Sequence, residues 1–375
     1  MRTLVFLSLL ILISGPAFAL DTKADQAFIF DLETGTVLLD KDADARMPTS
    51  SMSKVMTMYM VFDALEDGTI TLDNTMQVSE KAWRKGGSKM FVEVGKDVRV
   101  EDLIKGVIVQ SGNDATIVLA EGLMGSEERF AVAMTDTAVS ELGMVNSNFT
   151  NASGWPDPDH YSTAKDLGRL AAAIITRFPQ YYDYYAIREF TFNNIRQANR
   201  NPLLGLNLGA DGIKTGHTEA AGYGLMASGQ RGNRRVVMVL NGMESESERR
   251  EESARLLDWA LGRFENIALF SESKALSRIP VSSGVSPDVA VRAEKGIKLT
   301  IPKGARDDIA MQLRVNSPVP APIQEGDILG VVEVSIPDQP MRSISVIAAE
   351  TVAKAGFFKR LGDNLIQFIE QQTGG

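Results

Sequence analysis

The chain has no cysteine and only two histidines, His160 and His217, in 375 residues. The first absence excludes a thiol nucleophile, a disulfide framework, thiolate zinc sites and iron–sulfur clusters. The second, with no His-Glu-x-x-His anywhere, leaves a zinc hydrolase without its usual ligands. Basic charge is short too. Lys and Arg number 39 against 48 Asp and Glu, for a formal net charge of −9 and a pI of about 5.0. That argues against nucleic acid as a partner held by a broad basic surface. No stretch reaches the roughly 20 apolar residues that span a bilayer. The apolar run at 4–13 is about half that length. It follows Arg2 and precedes Gly15, Pro16 and the small-x-small pattern Ala17-Phe18-Ala19. Residues 1–19 therefore read as an export signal, cleaved after Ala19. What remains is of ordinary globular composition, 44% hydrophobic and 23% charged, and long enough for two domains. No cofactor and no metal are expected.

Residues 27–39 read as two short strands around the turn Glu33-Thr34-Gly35. Residues 52–65 read as a helix, with Met52, Val55, Met56, Tyr59 and Phe62 on one face and Gly68 beyond its end. Residues 100–121 continue the helical period but are broken by Gln110-Ser111-Gly112-Asn113. An Ala-rich helix is predicted over 166–177, with Ser162 and Thr163 as candidate caps. Strands are predicted at 223–228 and 236–242, then a charged helix at 246–264. Beyond about residue 270 the text turns to short β-rich segments divided by Pro and Gly. The expected layout is a mixed α/β domain over 20–270, a small all-β, sandwich-like domain over 271–350, and an amphipathic helix over 351–375.

Three short motifs bear chemistry. In Ser51-Met52-Ser53-Lys54 the hydroxyl starts a helix and the lysine follows one turn later on the same side. A serine is a poor nucleophile until a base takes its proton, and a lysine is a base only when burial or a neighbouring cation lowers its pKa. Helix-start N–H groups also suit a developing oxyanion. Alone, the pair reads better as a helix cap and a solvated lysine, and Ser-x-x-Lys recurs at Ser162 with Lys165 and at Ser271 with Lys274. Ser111-Gly112-Asn113 places a hydroxyl for proton relay two residues from an amide that can hold a peptide backbone. It also reads as a plain turn. Lys214-Thr215-Gly216, continued by His217-Thr218, offers a cation and a hydroxyl to a carboxylate, with a glycine where substrate must come close. All three in this order, behind an export signal, make coincidence a poor explanation.

In that order the motifs resemble those of the penicillin-binding proteins and serine β-lactamases. The wider text, including Gly87-Ser88-Lys89-Met90-Phe91, Phe190-Thr191-Phe192-Asn193, Asn199-Arg200-Asn201 and Asp211-Gly212-Ile213 before Lys214, resembles the D-alanyl-D-alanine carboxypeptidases of the penicillin-binding-protein 5 type over residues 25–375. The resemblance implies the transpeptidase-type α/β fold. It implies Ser51 as nucleophile on the peptidoglycan stem pentapeptide, Lys54 as its base and Ser111 as proton relay to the departing D-alanine. It implies Asn113 on the peptide backbone and Lys214, Thr215 and Arg249 on the terminal carboxylate. Gly216 allows the approach, and the N–H groups of Ser51 and His217 form the oxyanion hole. β-Lactams are then expected as covalent inhibitors. A triad of Ser51 with His160 or His217 is a weaker choice. A β-lactamase would need a Glu-x-x-x-Asn loop, and its sole candidate, Glu189 to Asn193, falls too close to Lys214. An idle muropeptide-binding scaffold sits poorly with intact Ser51, Lys54, Ser111 and Lys214.

The last segment carries Phe357, Phe358, Leu361, Leu365, Phe368 and Ile369 at spacings of mostly three and four. Lys354, Lys359, Arg360, Asp363 and Glu370 mostly take the other face. This suits a helix lying in a membrane interface, with the basic residues meeting anionic headgroups. The membrane surface, on the periplasmic face of the inner membrane, is therefore the expected further partner.

Overall fold

The hairpin read near residue 30 forms as β1 (Gln26–Asp31) and β2 (Val37–Lys41). Asp31 closes it by accepting the N–H groups of Glu33 and Thr34 at 3.1 and 3.0 Å. The same carboxylate meets Arg234 Nε at 2.8 Å. The computed structural model describes residues 20–271, 274–336 and 341–356. The expected export signal and the apolar stripe from Phe357 onward lie outside the described residues. Two compact units are resolved, one over Thr22–Glu265 and one beginning at Asn266.

In the first unit a 3-10 turn, Ser50–Ser53, runs into α1 (Lys54–Glu66). Then follow β3 (Thr75–Gln77), α2 (Glu80–Arg84), β4 (Asp97–Arg99), α3 (Val100–Ile108), α4 (Asn113–Met124) and α5 (Glu127–Ser140). The Ala-rich helix is α6 (Ala164–Arg177), capped by Thr163, whose hydroxyl accepts the Asp166 N–H at 3.0 Å. After α7 (Pro179–Tyr182) a small hairpin, β5 (Glu189–Phe192) with β6 (Ile195–Ala198), leads to three long strands. These are β7 (Ala210–Thr218), β8 (Gly222–Arg231) and β9 (Arg234–Met243). The helix α8 (Glu246–Gly262) stops short of the predicted 264, because Phe264 opens a strand and packs edge-on to Trp259.

The main sheet has the order β2-β1-β9-β8-β7, with antiparallel neighbours throughout. Its two faces alternate with the period of the strand. Phe28, Met226, Val237 and Val239 join a core with α1, α3, α4 and α6. On β8, Gly229 lies against Leu257 of α8. The central helix α1 is buried nearly all round, from Val55 through Phe62. It is thus a core helix without an amphipathic stripe, and the single apolar face read from its sequence was too narrow.

The second unit holds β10 (Phe264–Phe270) paired with β13 (Ile297–Pro302). Beside them is a six-stranded sheet. Its strands are β11 (Ala275–Ser282), β12 (Asp288–Ala293), β14 (Ala310–Val315), β15 (Val319–Pro320), β16 (Ile328–Ser335) and β17 (Arg342–Ala348), ordered β14-β16-β17-β12-β11-β15. Val289, Val291, Leu299, Ile301, Val334 and Val346 fill its core. The all-β character expected from the sequence is met. The described part of 351–356 is not helical: Val352 bridges Ile323, Lys354 bridges Gly284, and Ala355 is buried. The tail expected to begin at 351 therefore starts inside the β unit.

Phe62 anchors α1, with its ring stacked on Tyr181 at 5.2 Å and edge-on to Phe178 and Tyr185. Phe62→Ala is expected to cost about 3–5 kcal/mol. Urea unfolding followed by near-ultraviolet circular dichroism tests this, and a loss below about 1 kcal/mol would show that the site collapses around the cavity.

Candidate active site

The turn Ser50–Ser53 is held from both sides. Ser50 adopts a left-handed φ of 45°. On one side β7 presses against it, and a Cβ on Gly216 would fall 2.3 Å from Ser50 Oγ and 2.9 Å from Thr49 O. Only glycine lets strand and turn meet so closely. On the other side Ser53 Oγ contacts His160 Nε2 at 2.7 Å. His160 Nδ1 accepts the Thr150 N–H at 3.1 Å, which leaves the ring proton on Nε2. Burial pushes this imidazole down to about 4, so it stays neutral. His160 thus supports the turn through Ser53 and has no contact to Ser51 to make a triad. His217 is exposed and stacks on Tyr223, with ring centroids 3.9 Å apart.

Lys54, the first residue of α1, is 0% exposed. Its Nζ lies 2.8 Å from Ser51 Oγ, 2.8 Å from Asn113 Oδ1 and 2.6 Å from Ser153 O. Burial lowers its pKa well below the ordinary value, and the charges of Lys214 and Arg200 add to the effect. Asp114 opposes them and Lys85 adds a smaller push downward. A neutral amine has two N–H groups and one lone pair. Ser153 O is a carbonyl. Asn113 turns its oxygen to Lys54 because its Nδ2 donates to Gly86 O at 2.9 Å. Neither can donate, so in the neutral form the lone pair would be left for the Ser51 hydroxyl.

Ser111 precedes α4 with a left-handed φ of 59°, buried, its Oγ without a hydrogen-bond partner among the described residues. Lys214 and Thr215, on β7, are buried as well. Burial, then Arg200 and Arg249, bring the Lys214 ammonium down to about 7. Arg249 lies in the first turn of α8, buried, with its guanidinium 5.5 Å from the Tyr223 ring and its Nε unpartnered. Arg250 is exposed. The three motifs and Arg249 thus fall in one cluster: Lys54 meets Ser51 and Asn113, Gly216 meets Ser50, and the charge of Arg249 acts on Lys214. A 650 Å³ cavity runs beside it, lined by Ser50, Gly154, Trp155, His160 and Thr218.

The remaining Ser-x-x-Lys pairs and the Glu189 loop fall elsewhere. Ser162 hydrogen-bonds Ser147 at 2.7 Å, and Lys165 pairs with Asp44 on the surface. Ser271 and Lys274 belong to the β unit. Glu189 pairs with Arg196 on the exposed β5–β6 hairpin. Three participants were not singled out from sequence: Arg200, which donates to Ser88 Oγ at 2.6 Å, the Ser153 carbonyl, and Asp114. The text Asn199-Arg200-Asn201 was a visible hint of the first. A backbone carbonyl leaves no residue signature.

Known proteins match along most of this length. Residues 14–245 match the family described as D-alanyl-D-alanine carboxypeptidase, and residues 264–354 match the penicillin-binding protein 5 C-terminal domain. D-alanyl-D-alanine carboxypeptidase DacC of Escherichia coli is 35% identical over 354 residues, which is 92% of this chain and 88% of the relative. Penicillin-binding protein 5 of Haemophilus influenzae superposes with a TM-score of 0.78 at 34% identity, covering 89% of this chain and 98% of that one. Penicillin-binding protein D2 of Listeria monocytogenes, in its ampicillin-bound form, gives 0.59 at 28% identity over 64% of this chain and 98% of its own. With both parts matched in order along the chain, this protein belongs to the D-alanyl-D-alanine carboxypeptidases of peptidase family S11, serine hydrolases of the penicillin-binding type.

Proposed function

We propose that the carboxypeptidase reaction runs through Ser51 with neutral Lys54 as its base. The observation that carries this reading is the surroundings of buried Lys54 Nζ, which lies within hydrogen-bond distance of two acceptors, Asn113 Oδ1 and Ser153 O, and of Ser51 Oγ; in the neutral amine the two acceptors take its N–H groups and the lone pair is left for the Ser51 hydroxyl. Ser51 Oγ attacks the carbonyl between the two terminal D-alanines, and its proton passes to Lys54. The N–H groups of Ser51 and His217 receive the oxyanion. The C–N bond breaks as Ser111 hands its proton to the departing D-alanine nitrogen and takes the Lys54 proton in its place, which returns Lys54 to the neutral form. Water then attacks the acyl-enzyme, giving a proton to Lys54, which passes it to Ser51 Oγ as the ester bond breaks. Lys214, Thr215 and Arg249 hold the terminal carboxylate. Asn113 has one amide proton on Gly86 O, and its second serves the substrate's carbonyl. Gly216 keeps strand β7 close enough to the turn at Ser50 for the His217 N–H to reach the oxyanion. A β-lactam presents the same carboxylate and carbonyl, and its ring opening leaves the acyl group on Ser51. Trimming of stem pentapeptides, and hence limited cross-linking, is the physiological outcome.

Outside the described residues, the segment from Phe357 serves as a peripheral anchor on the periplasmic face of the inner membrane. Its support is the apolar spacing from Phe357 to Ile369. Among the described residues no helix is long and apolar enough to cross a membrane. Each buried apolar side chain contributes roughly 1.5–3 kcal/mol before ordering costs, enough for reversible binding.

Ser51→Ala is expected to abolish D-alanine release and covalent penicillin labelling while the fold persists. Labelling that survives, or moves to Ser162 or Ser271, would show another serine to be the nucleophile. The pH dependence follows from the two lysines. Lys54 must be neutral, so kcat/KM rises as pH passes its lowered pKa. Lys214 must be charged to hold a carboxylate, so kcat/KM falls again as pH passes about 7. Arginine stays protonated in proteins, so Lys214→Arg should move this alkaline limb upward. An unmoved limb would remove Lys214 from the carboxylate site. For the anchor, the cut belongs after Gly356, since Lys354 and Ala355 are tied into the β unit. The truncated protein should leave the membrane fraction yet still cleave a small soluble peptide. A truncated protein that pellets with membranes would refute the anchor.

A further inference from the structure

Asp114 follows the Ser111-Gly112-Asn113 motif and takes no step in the reaction above. Its carboxylate is 1% exposed, and no Lys or Arg pairs with it among the described residues. Four backbone N–H groups satisfy it instead. Met90 and Ala115 donate to Oδ1 at 2.8 and 2.9 Å, and Phe91 and Val92 donate to Oδ2 at 2.9 and 3.3 Å. Three of the donors are consecutive residues of the connection between α2 and β4. They point together because Phe91 adopts a left-handed φ of 68°. The fourth belongs to the first turn of α4, where helix-start N–H groups favour negative charge.

The same connection is tied to the active site at two further points. Asn113 N–H donates to Ser88 O at 2.8 Å, and Asn113 Nδ2 donates to Gly86 O at 2.9 Å. There is no room for a side chain in the joint. A Cβ on Gly112 would lie 2.8 Å from Asp114 Oδ1 and 3.0 Å from the Met90 nitrogen. Asn113 gives its oxygen to Lys54 only while its nitrogen is held by Gly86.

We infer that Asp114 is a positioning residue of the hydrolysis: by clamping Met90, Phe91 and Val92 to the start of α4, it holds the strand of backbone that orients Asn113 toward Lys54. This rests on the reading of Ser51 as nucleophile and Lys54 as base. The clamp needs a carboxylate. Asparagine has the same shape, but its NH2 would face the N–H groups of Phe91 and Val92, donor against donor, in a buried place where an unmet N–H is costly. The charge has a separate consequence. Lys54 is faced by Lys214 from β7, Arg200 from the segment before β7, Lys85 from the end of α2, neutral His160 near the 3-10 turn, and Asp114 from α4. Asp114 is the negative member of this set, and it favours the ammonium form.

The experiment is Asp114→Asn in the full chain, measuring acylation by a fluorescent penicillin across pH, together with thermal unfolding and circular dichroism. Acylation should fall roughly 100-fold, as expected when a catalytic group is displaced by about an ångström. Its acid limb should move to lower pH, because losing the negative charge makes Lys54 shed its proton more easily. A loosened fold that admitted water would move the limb the other way. A wild-type rate overturns the inference, as does a reduced rate with the limb unmoved or raised. Gly112→Ala is the companion variant, since it wedges the clamp but keeps the charge. It should lose rate with no shift to lower pH. Should Asp114→Asn fail to fold, wild-type acylation by Gly112→Ala overturns the clamp by itself. Absence of Ser51 labelling in the unaltered protein would defeat the catalytic reading. Normal labelling there, matched by Asp114→Asn, would defeat this inference alone.

Discussion

The proposed reaction requires Lys54 to lose its charge, and the first unit places it where charge is hard to keep. A lysine at a helix start is ordinarily solvated and cationic. Here the helix that carries it is buried on nearly every side, so its first residue enters the core with the rest. Transfer of an ammonium from water into such surroundings is strongly unfavourable, and the group responds by shedding its proton. Packing of α1 and basicity of Lys54 are therefore one property. The Met-rich sequence of α1 suits this, because flexible thioethers fill an irregular core without polar atoms that would solvate the amine.

Burial alone would not aim the base. Aim comes from two contacts that draw distant segments together: Gly216 of β7 against Ser50, and Asn113 of α4 against Lys54. Both lie beside residues with left-handed backbone, Ser50 and Ser111. Non-glycine residues hold that conformation at a cost of order 1–3 kcal/mol, which persists only where surrounding structure over-determines it. Around Ser50 the determinants are β7, His160 acting through Ser53, and the start of α1. At Ser111 they are the clamp on Asp114 and the bond from Gly112 N to Gly106 O. The rigid parts are thus concentrated where the proposed nucleophile and relay hydroxyl must stay in register.

Much of this was legible in the sequence, and the limits have physical causes. The hairpin at β1 and β2, the strands β8 and β9 and the caps announce themselves through period and turn chemistry, which are local. Three motifs single out Ser51, Lys54, Ser111, Asn113, Lys214 and Thr215 as candidates because their residue types can carry the proposed chemistry. Helix α5 went unread because Glu127–Ser140 mixes apolar and charged residues on a weak stripe. Helix α1 gave too narrow a face because burial all round erases periodicity. The end of α8 was misread because Phe264 fits a helical period but pairs as strand. The Ser153 carbonyl and the N–H cradle of Asp114 belong to backbone, which carries no residue code. Arg200 lies in a polar loop whose approach to both lysines is a matter of tertiary distance.

The causes of the Lys54 shift come in an order that bears on catalysis. Desolvation is the largest, and the charges of Lys214 and Arg200 come after it. Those same cations, with Arg249, form the patch assigned to the substrate's terminal carboxylate. Binding a carboxylate there brings a negative charge that offsets their push on Lys54. A base kept neutral mainly by neighbouring cations would be recharged by its own substrate. A base kept neutral mainly by burial is not, and substrate entering the cleft displaces more water and deepens the desolvation. In the proposed reaction this ordering lets one cluster of positive charge serve carboxylate binding while the core keeps Lys54 ready to accept the Ser51 proton.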